Sequence, residues 1–270
     1  MFFGKFKFPT IAWPTALAGV RDGVIVGAVI ALLVFPVRAW WQSATPHQPA
    51  VASYSGDKAP HPVRPAPRFA DFGTESPSPD ARHVADWVAD SSDNAGGEFI
   101  IVDKTYARVY VFNAQARLRA TTPVLLGAAP GDDSVPGIGT RPIKDIRVEE
   151  RTTPAGRFMA QRGRNASQED VVWIDNDAAV SMHRVRATDP KERRLQRLAS
   201  ATADENRISW GCINVPVAFY EGFVQPVFAQ RKALVYVLPE VKNVRQVFGS
   251  YDVAQLYGLS TVSVAAAPQW

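Results

Sequence analysis

Ser209-Trp210-Gly211-Cys212-Ile213-Asn214 carries the only cysteine in a chain of 270 residues, and the reading of this turn decides how the rest is read. It packs a hydroxyl, a glycine and a thiol into one short stretch. Glycine permits backbone dihedrals closed to other residues, so successive N–H groups can converge on one point. Such a turn can hold the oxyanion that forms when a thiolate attacks a carbonyl. Cys212 is therefore the candidate nucleophile, and Ser209, Trp210 and Gly211 the candidate oxyanion and turn residues. Asn214 suits a helix cap and Pro216 a first helical turn. That arrangement would set the thiol near a helix N-terminus, where thiolate is favoured.

A free thiol titrates near ~8.5, so attack at neutral pH needs a base within hydrogen-bond reach. His183 ends an apolar run 29 positions before Cys212. A lone cysteine with a histidine elsewhere in the chain is the arrangement expected of a cysteine nucleophile. The competing reading is a small buried hydrophobe beside a loop glycine. The turn by itself leaves both open.

Further pieces line up in order along the chain. Ile100-Ile101-Val102-Asp103 and Ala107 to Phe112 come first, then Pro123-Val124-Leu125-Leu126-Gly127, then Thr152-Thr153-Pro154-Ala155-Gly156-Arg157-Phe158. His183, Ser209 to Asn214, and Ala233 to Pro239 follow. Together they resemble the L,D-transpeptidase catalytic domain (the YkuD-type family), over roughly residues 96–240. The resemblance implies a mainly β domain, a β-sandwich with mixed sheets and a few short helices. It implies that Cys212 attacks the carbonyl between an L-centre and a D-residue in a peptidoglycan stem peptide. His183 would serve as base and later as proton donor, oriented by the backbone carbonyl of Arg184. The thioester would pass to an amine and form a cross-link, with no metal or organic cofactor. Asn214 is a further candidate substrate contact.

Three departures from that pattern stand out. Trp210 occupies a place where histidine is usual, Arg184 one where glycine is common, and the 25-residue spacer from His183 to Ser209 is several residues long for the family. Two other functions fit the same residues. One is a hydrolase on the same scaffold, with water as acceptor; the other is a non-catalytic envelope-binding module.

Composition excludes some classes. The net charge of +4 is slight for this length and implies no nucleic acid. The four histidines are scattered and no Cys-x-x-Cys pair exists, so a structural metal is not expected. Gly23 to Val37 is an apolar run of 15 residues, extended by Gly19 and Val20 before it and by Ala39, Trp40 and Trp41 after it. A bilayer span needs about 20 residues, and arginines near the ends can snorkel. Residues 1–41 are thus expected to be an uncleaved anchor, with basic residues inside and the remainder on the outer, periplasmic face of a bacterial inner membrane. A cleaved signal peptide and a buried helix are the alternatives. Residues 42–80 hold eight of the 21 prolines and read as a tether that could reach ~120 Å when extended.

Apolar spacing predicts a short helix over 81–95, ended by Gly96-Gly97. Strands are expected at Glu98 to Asp103, Arg108 to Phe112, Ala120 to Leu126, Phe158 to Gln161, Val171 to Asp175, Ala178 to His183 and Leu234 to Leu238. Within the basic insert, residues 184–208, Asp189-Pro190-Lys191-Glu192 resembles a helix start, and a helix from about Pro190 to Thr202 is expected with Leu195, Leu198 and Ala199 inward. Its Arg193, Arg194 and Arg197 suit either a solvated face or a lid that reads stem-peptide carboxylates. Residues 241–270 show no clean period and carry no assigned role, and the oligomeric state is not readable.

Overall fold

The clearest strand signals are apolar runs that do not alternate, and their surroundings explain why. The computed structural model describes residues 65–259. In it β1 (Phe99–Asp103), β2 (Arg108–Phe112) and β10 (Ala233–Val237) lie side by side in an eight-stranded sheet. Both faces of these strands are covered, which selects apolar residues at every position but the charged strand ends Asp103 and Arg108. Ile100, Val102, Val109, Val111, Val235 and Val237 enter one apolar cluster. Phe99, Ile101, Tyr110, Phe112, Leu234 and Tyr236 enter a second.

The other strands of this sheet are β3 (Leu118–Pro123), β5 (Gly156–Arg164), β6 (Asp170–Asp175), β7 (Val180–Arg184) and β9 (Ile213–Val215). The order across it is β3-β2-β1-β10-β5-β6-β7-β9. β1 with β10 and β7 with β9 run parallel, and the remaining neighbours antiparallel. A separate parallel pair joins β4 (Leu126–Gly127) to β8 (Arg207–Ser209). The architecture is thus mainly β and mixed, one eight-stranded sheet with a separate two-stranded pair and a few short helices.

Helix α1 (Pro79–Ser91) closes the second cluster with Ala81, Val84, Ala85 and Val88, all fully buried. Ser78 caps it, accepting from the Ala81 amide at 3.1 Å and donating to Asp103 at 2.5 Å, so the helix start is stapled to the end of β1. The helix begins before the expected residue 81 and ends at Ser91, because Ser92 turns left-handed at φ 58° and closes it ahead of the glycine pair.

Other expectations are corrected. The segment read as a free tether up to residue 80 is packed well before that, with Ala70 and Phe72 buried in the second cluster and Asp71 bridged to Arg117. The insert does not form one helix over Pro190 to Thr202. It holds a 3-10 turn (Pro190–Glu192), a left-handed Arg193 at φ 50°, and a short helix (Arg194–Leu198). Leu195 is 57% exposed, so only Leu198 faces inward. The helix after the cysteine turn starts at Val217, beyond β9, so neither Asn214 as a cap nor a helix dipole at Cys212 holds. Residues beyond Pro239 form two short helices (Val244–Phe248 and Val253–Leu256), and Val244, Phe248 and Tyr251 pack on the second cluster. The anchor and most of the tether lie outside the described residues.

A buried charge cluster ties the loops to this frame. Lys104 is fully buried, and its ammonium donates to Asp132 at 2.7 Å and to the Thr153 carbonyl at 2.9 Å, with Glu240 at 3.4 Å. Arg207 pairs with the same Glu240. The Asp132 carboxylate also receives the amides of Glu240, Val241 and Lys242. Breaking a buried pair by removing one partner leaves an uncompensated charge and costs about 3–5 kcal/mol. Lys104→Ala is accordingly expected to lower the urea midpoint by an amount equivalent to that figure, measured by far-UV circular dichroism.

Candidate active site

β7 and β9 pair with His183 opposite Asn214 and Met182 opposite Ile213. Side chains alternate along a strand, so Met182 and Ile213 enter the core. Ser181, His183, Cys212 and Asn214 line the opposite side, in one cleft of about 450 Å³. Register sets His183 beside Asn214, and Cys212, just before β9, falls beside Ser181 in the same cleft.

The cysteine turn is clamped at both ends by one segment. Leu125 and Asn214 exchange two backbone hydrogen bonds of 2.9 Å, and the Ala128 amide donates to the Ser209 carbonyl at 2.9 Å. Inside the turn, the Ser209 hydroxyl donates to the Cys212 carbonyl at 2.6 Å and accepts from the Gly211 amide at 3.1 Å. Thr153, buried, donates to the Gly211 carbonyl at 2.8 Å and accepts from the Gly127 amide at 2.9 Å. Gly211 sits at φ 119°, and a Cβ there would stand 2.7 Å from the Thr152 carbonyl oxygen. Only glycine fits that place.

His183 Nδ1 lies 2.8 Å from the Arg184 carbonyl oxygen. A carbonyl can only accept, so Nδ1 carries the proton, and the Nε2 lone pair accepts from Asn214 Nδ2 at 3.3 Å. Burial pulls the imidazole pKa down, but hydrogen bonding and charge from Cys212 outweigh it and hold it above its ordinary value. Burial pushes the Cys212 thiol up, but His183 and then Ser181 outweigh it and hold the thiol below its ordinary value. Opposite shifts on a contacting pair favour thiolate and imidazolium together. Ser181 contributes its amide at 3.5 Å and its hydroxyl at 3.6 Å from the sulfur. No role for Ser181 was read from the sequence, although its place two residues before His183 on a strand puts it on the same face. Thr153 was read only as part of a motif, and its contact with Gly211 requires the folded chain.

The Arg184 side chain turns away from the cleft, donating to Glu221 at 3.0 Å and stacking over Tyr220 at 4.4 Å. Trp210 lines the cleft with the Arg151 guanidinium 3.3 Å from its ring centre. Ile138, Ile146 and Trp173 add apolar wall, and Arg141 and Arg186 line the cleft while paired with Glu150 and Glu169. The three insert arginines do not act alike. Arg197 is committed to the carbonyls of Glu192 and Glu205, and Arg193 is exposed and absent from the cleft lining. A shared carboxylate-reading role for all three is therefore corrected. Only Arg194 reaches the site, through Asn214 at 2.6 Å. Among the described residues, no group of three or more His, Cys, Asp or Glu could hold a metal ion.

No family model matches the chain, and no curated protein matches it in sequence. Similar solved structures include L,D-transpeptidases, at low sequence identity. A mutant L,D-transpeptidase from Enterococcus faecium is 17% identical, with 53% of this chain and 50% of that chain covered and a TM-score of 0.29. The helical cell shape determining protein Pgp2 from Campylobacter jejuni is 13% identical over 59% of this chain and 51% of that one, with a TM-score of 0.38. An L,D-transpeptidase fragment from Xylanimonas cellulosilytica is 14% identical over 64% of this chain and 98% of the fragment, with a TM-score of 0.32. The chain spans about half the length of the first Enterococcus faecium structures it matches.

If His183 holds the thiol down, its removal should release it. In His183→Ala the thiolate absorbance of Cys212 is expected to titrate at about 8.5 or above, and in the parent chain clearly below that. An unchanged titration would detach His183 from the thiol.

Proposed function

We propose that this chain is a cysteine acyltransferase of the L,D-transpeptidase type, acting on peptidoglycan stem peptides. The observation that carries this reading is the convergence of Cys212, Ser181 and a carbonyl-oriented His183 in one cleft beside a glycine turn. The ordered motifs around it support the choice of stem peptide as donor. The cleft volume of about 450 Å³ lies within the usual range for small-ligand sites.

In this mechanism the Cys212 thiolate attacks the carbonyl carbon between the L-centre and the D-residue, forming the C–S bond. The Gly211 amide is committed to Ser209, so the amides of Trp210 and Cys212 are the turn's donors for the oxyanion. The His183 imidazolium gives its Nε2 proton to the leaving nitrogen as the C–N bond breaks, and the D-amino acid departs. Neutral His183 then takes a proton from an acceptor amine as that amine attacks the thioester. The thiolate leaves, an amide remains, and the ion pair is restored.

The test uses a tetrapeptide stem donor and intact-protein mass spectrometry. The expected result is an adduct on Cys212 equal to the donor minus its terminal D-residue, and less than a few per cent of turnover in Cys212→Ala. Adding an acceptor amine should discharge the adduct as an amide. Discharge to the free acid alone would make the enzyme a hydrolase, and the absence of any adduct or turnover would remove the catalytic reading.

We also propose that the apolar run at about residues 19–37 anchors the chain, with the catalytic unit on the periplasmic side. The full chain should then sediment with membranes and resist extraction by carbonate. Recovery as a soluble species processed near residue 40 would contradict the anchor.

A further inference from the structure

The insert between base and nucleophile reaches back into the site through an unbroken series of polar contacts. Glu192 accepts from Arg194 Nε at 2.5 Å, and Arg194 Nη1 donates to Asn214 Oδ1 at 2.6 Å. Asn214 Nδ2 donates to the Cys212 carbonyl at 3.2 Å and, while the imidazole is neutral with its proton on Nδ1, to the His183 Nε2 lone pair at 3.3 Å. Asn214 is fully buried and the Arg194 side chain is 11% exposed, so neither end of the clamp is loose.

The chemistry of these groups leaves the Asn214 amide one orientation. A guanidinium only donates, so the amide oxygen must face Arg194; a carbonyl only accepts, so the amide nitrogen must face Cys212. Reversing the amide would set donor against donor at one end and acceptor against acceptor at the other. With the nitrogen held towards His183, the imidazole finds no acceptor on the Asn214 side. The acceptor left for an Nε2 proton is the sulfur of Cys212. A reversed amide would offer its oxygen as a competing acceptor and draw the imidazolium away from the thiolate.

We propose that Arg194, carried by the insert and braced by Glu192, is a positioning residue that locks the Asn214 amide and thereby aims His183 at Cys212. The inference rests on the reading of Cys212 and His183 as nucleophile and base. It replaces a direct role for Arg194 in binding donor carboxylates. The charged groups surrounding the pair are Arg194 and Glu192 from the insert and Arg141 and Arg186 on the cleft wall, the latter two paired with Glu150 and Glu169. Arg184, next to His183 on β7, is paired with Glu221 and Asp170.

The test compares the full chain with Arg194→Ala and Arg194→Gln. Glutamine keeps a donor for the Asn214 oxygen but lacks the charge, which separates the lock from simple electrostatics. One readout needs no substrate: the rate at which iodoacetamide alkylates Cys212, followed against pH. The expected result is a midpoint raised by half a pH unit or more in Arg194→Ala and returned most of the way in Arg194→Gln. With the stem donor, kcat should fall about tenfold in Arg194→Ala while KM stays within twofold, as for an interaction that acts on the reacting groups rather than on binding. Equal upward shifts in both variants would show a charge effect and overturn the lock. A raised KM with an unmoved alkylation profile would make Arg194 a donor-binding group and overturn it too. If the parent chain itself alkylates only with an ordinary thiol midpoint, the nucleophile–base reading fails, which is a separate outcome from failure of the lock.

Discussion

The parallel pairing of β7 with β9 is the constraint on which the site depends. It sets His183 opposite Asn214 and leaves Cys212 at the mouth of the same face. Parallel neighbours cannot be joined by a tight turn and need a crossover of a dozen or more residues. The long separation of histidine and cysteine in the sequence is thus the connection this geometry requires. Arg186, Thr188, Glu192 and Arg194 of this connection line the same cleft as the thiol. The crossover is accordingly where a substitution can alter the cleft without disturbing the sheet.

Beneath the turn, rigidity comes from buried polar groups rather than from regular structure. Lys104 holds the Thr153 carbonyl, and the Thr153 hydroxyl holds the Gly211 carbonyl. The loop through Gly131 and Asp132 has no strand partner, so the ammonium and the amides of residues 240–242 stand in for a ladder. A buried ion cluster of this kind is weak evidence for net stability, since desolvation offsets much of the attraction. What it supplies here is a single allowed position for Thr153. The oxyanion turn inherits that position, because Gly127 and Gly211 both approach the 151–153 backbone more closely than a Cβ would allow.

Legibility in the sequence followed the number of residues that speak together. β1, β2 and β10 were readable because both faces are buried and, apart from Asp103 and Arg108 at the strand ends, every residue is apolar or aromatic, and α1 because four residues at helical spacing share one face. β8 and β9 have only three residues each, and their state is decided by partners far away in the chain, so no local pattern announced them. The insert misled because Asp189-Pro190-Lys191-Glu192 does form a capped turn, with the Asp189 side chain accepting from the Lys191 amide at 2.9 Å. Tertiary contacts then override propensity. Arg193 goes left-handed, and Arg194 and Arg197 are drawn to Asn214 and to the Glu205 carbonyl. The pair Cys212 and His183 was legible from residue type and order. Ser181 was recoverable from strand alternation, whereas Thr153 and the Arg194–Asn214 contact depend on packing that no spacing encodes.

The two unusual residues near the pair are accommodated differently. At Arg184 the group facing His183 is a backbone carbonyl, available from any residue, and the side chain is accepted because Glu221, Asp170 and Tyr220 wait for it outside the cleft. Trp210 instead changes the site itself. A histidine there could titrate near neutrality and share a proton with the pair, whereas an indole cannot. Among the described residues His183 is then the single imidazole lining the cleft. The indole also joins the turn to the loop that forms the opposite wall, through the Arg151 guanidinium stacked on it, and Arg151 in turn donates to the Ile146 carbonyl. That loop is braced by Glu150, whose carboxyl is held down at about 2 by the Arg147 amide and then by the Arg147 and Arg141 guanidiniums. It therefore stays ionised throughout the range in which thiol and imidazole exchange protons. The wall thus keeps its ion pairs while Cys212 and His183 change charge.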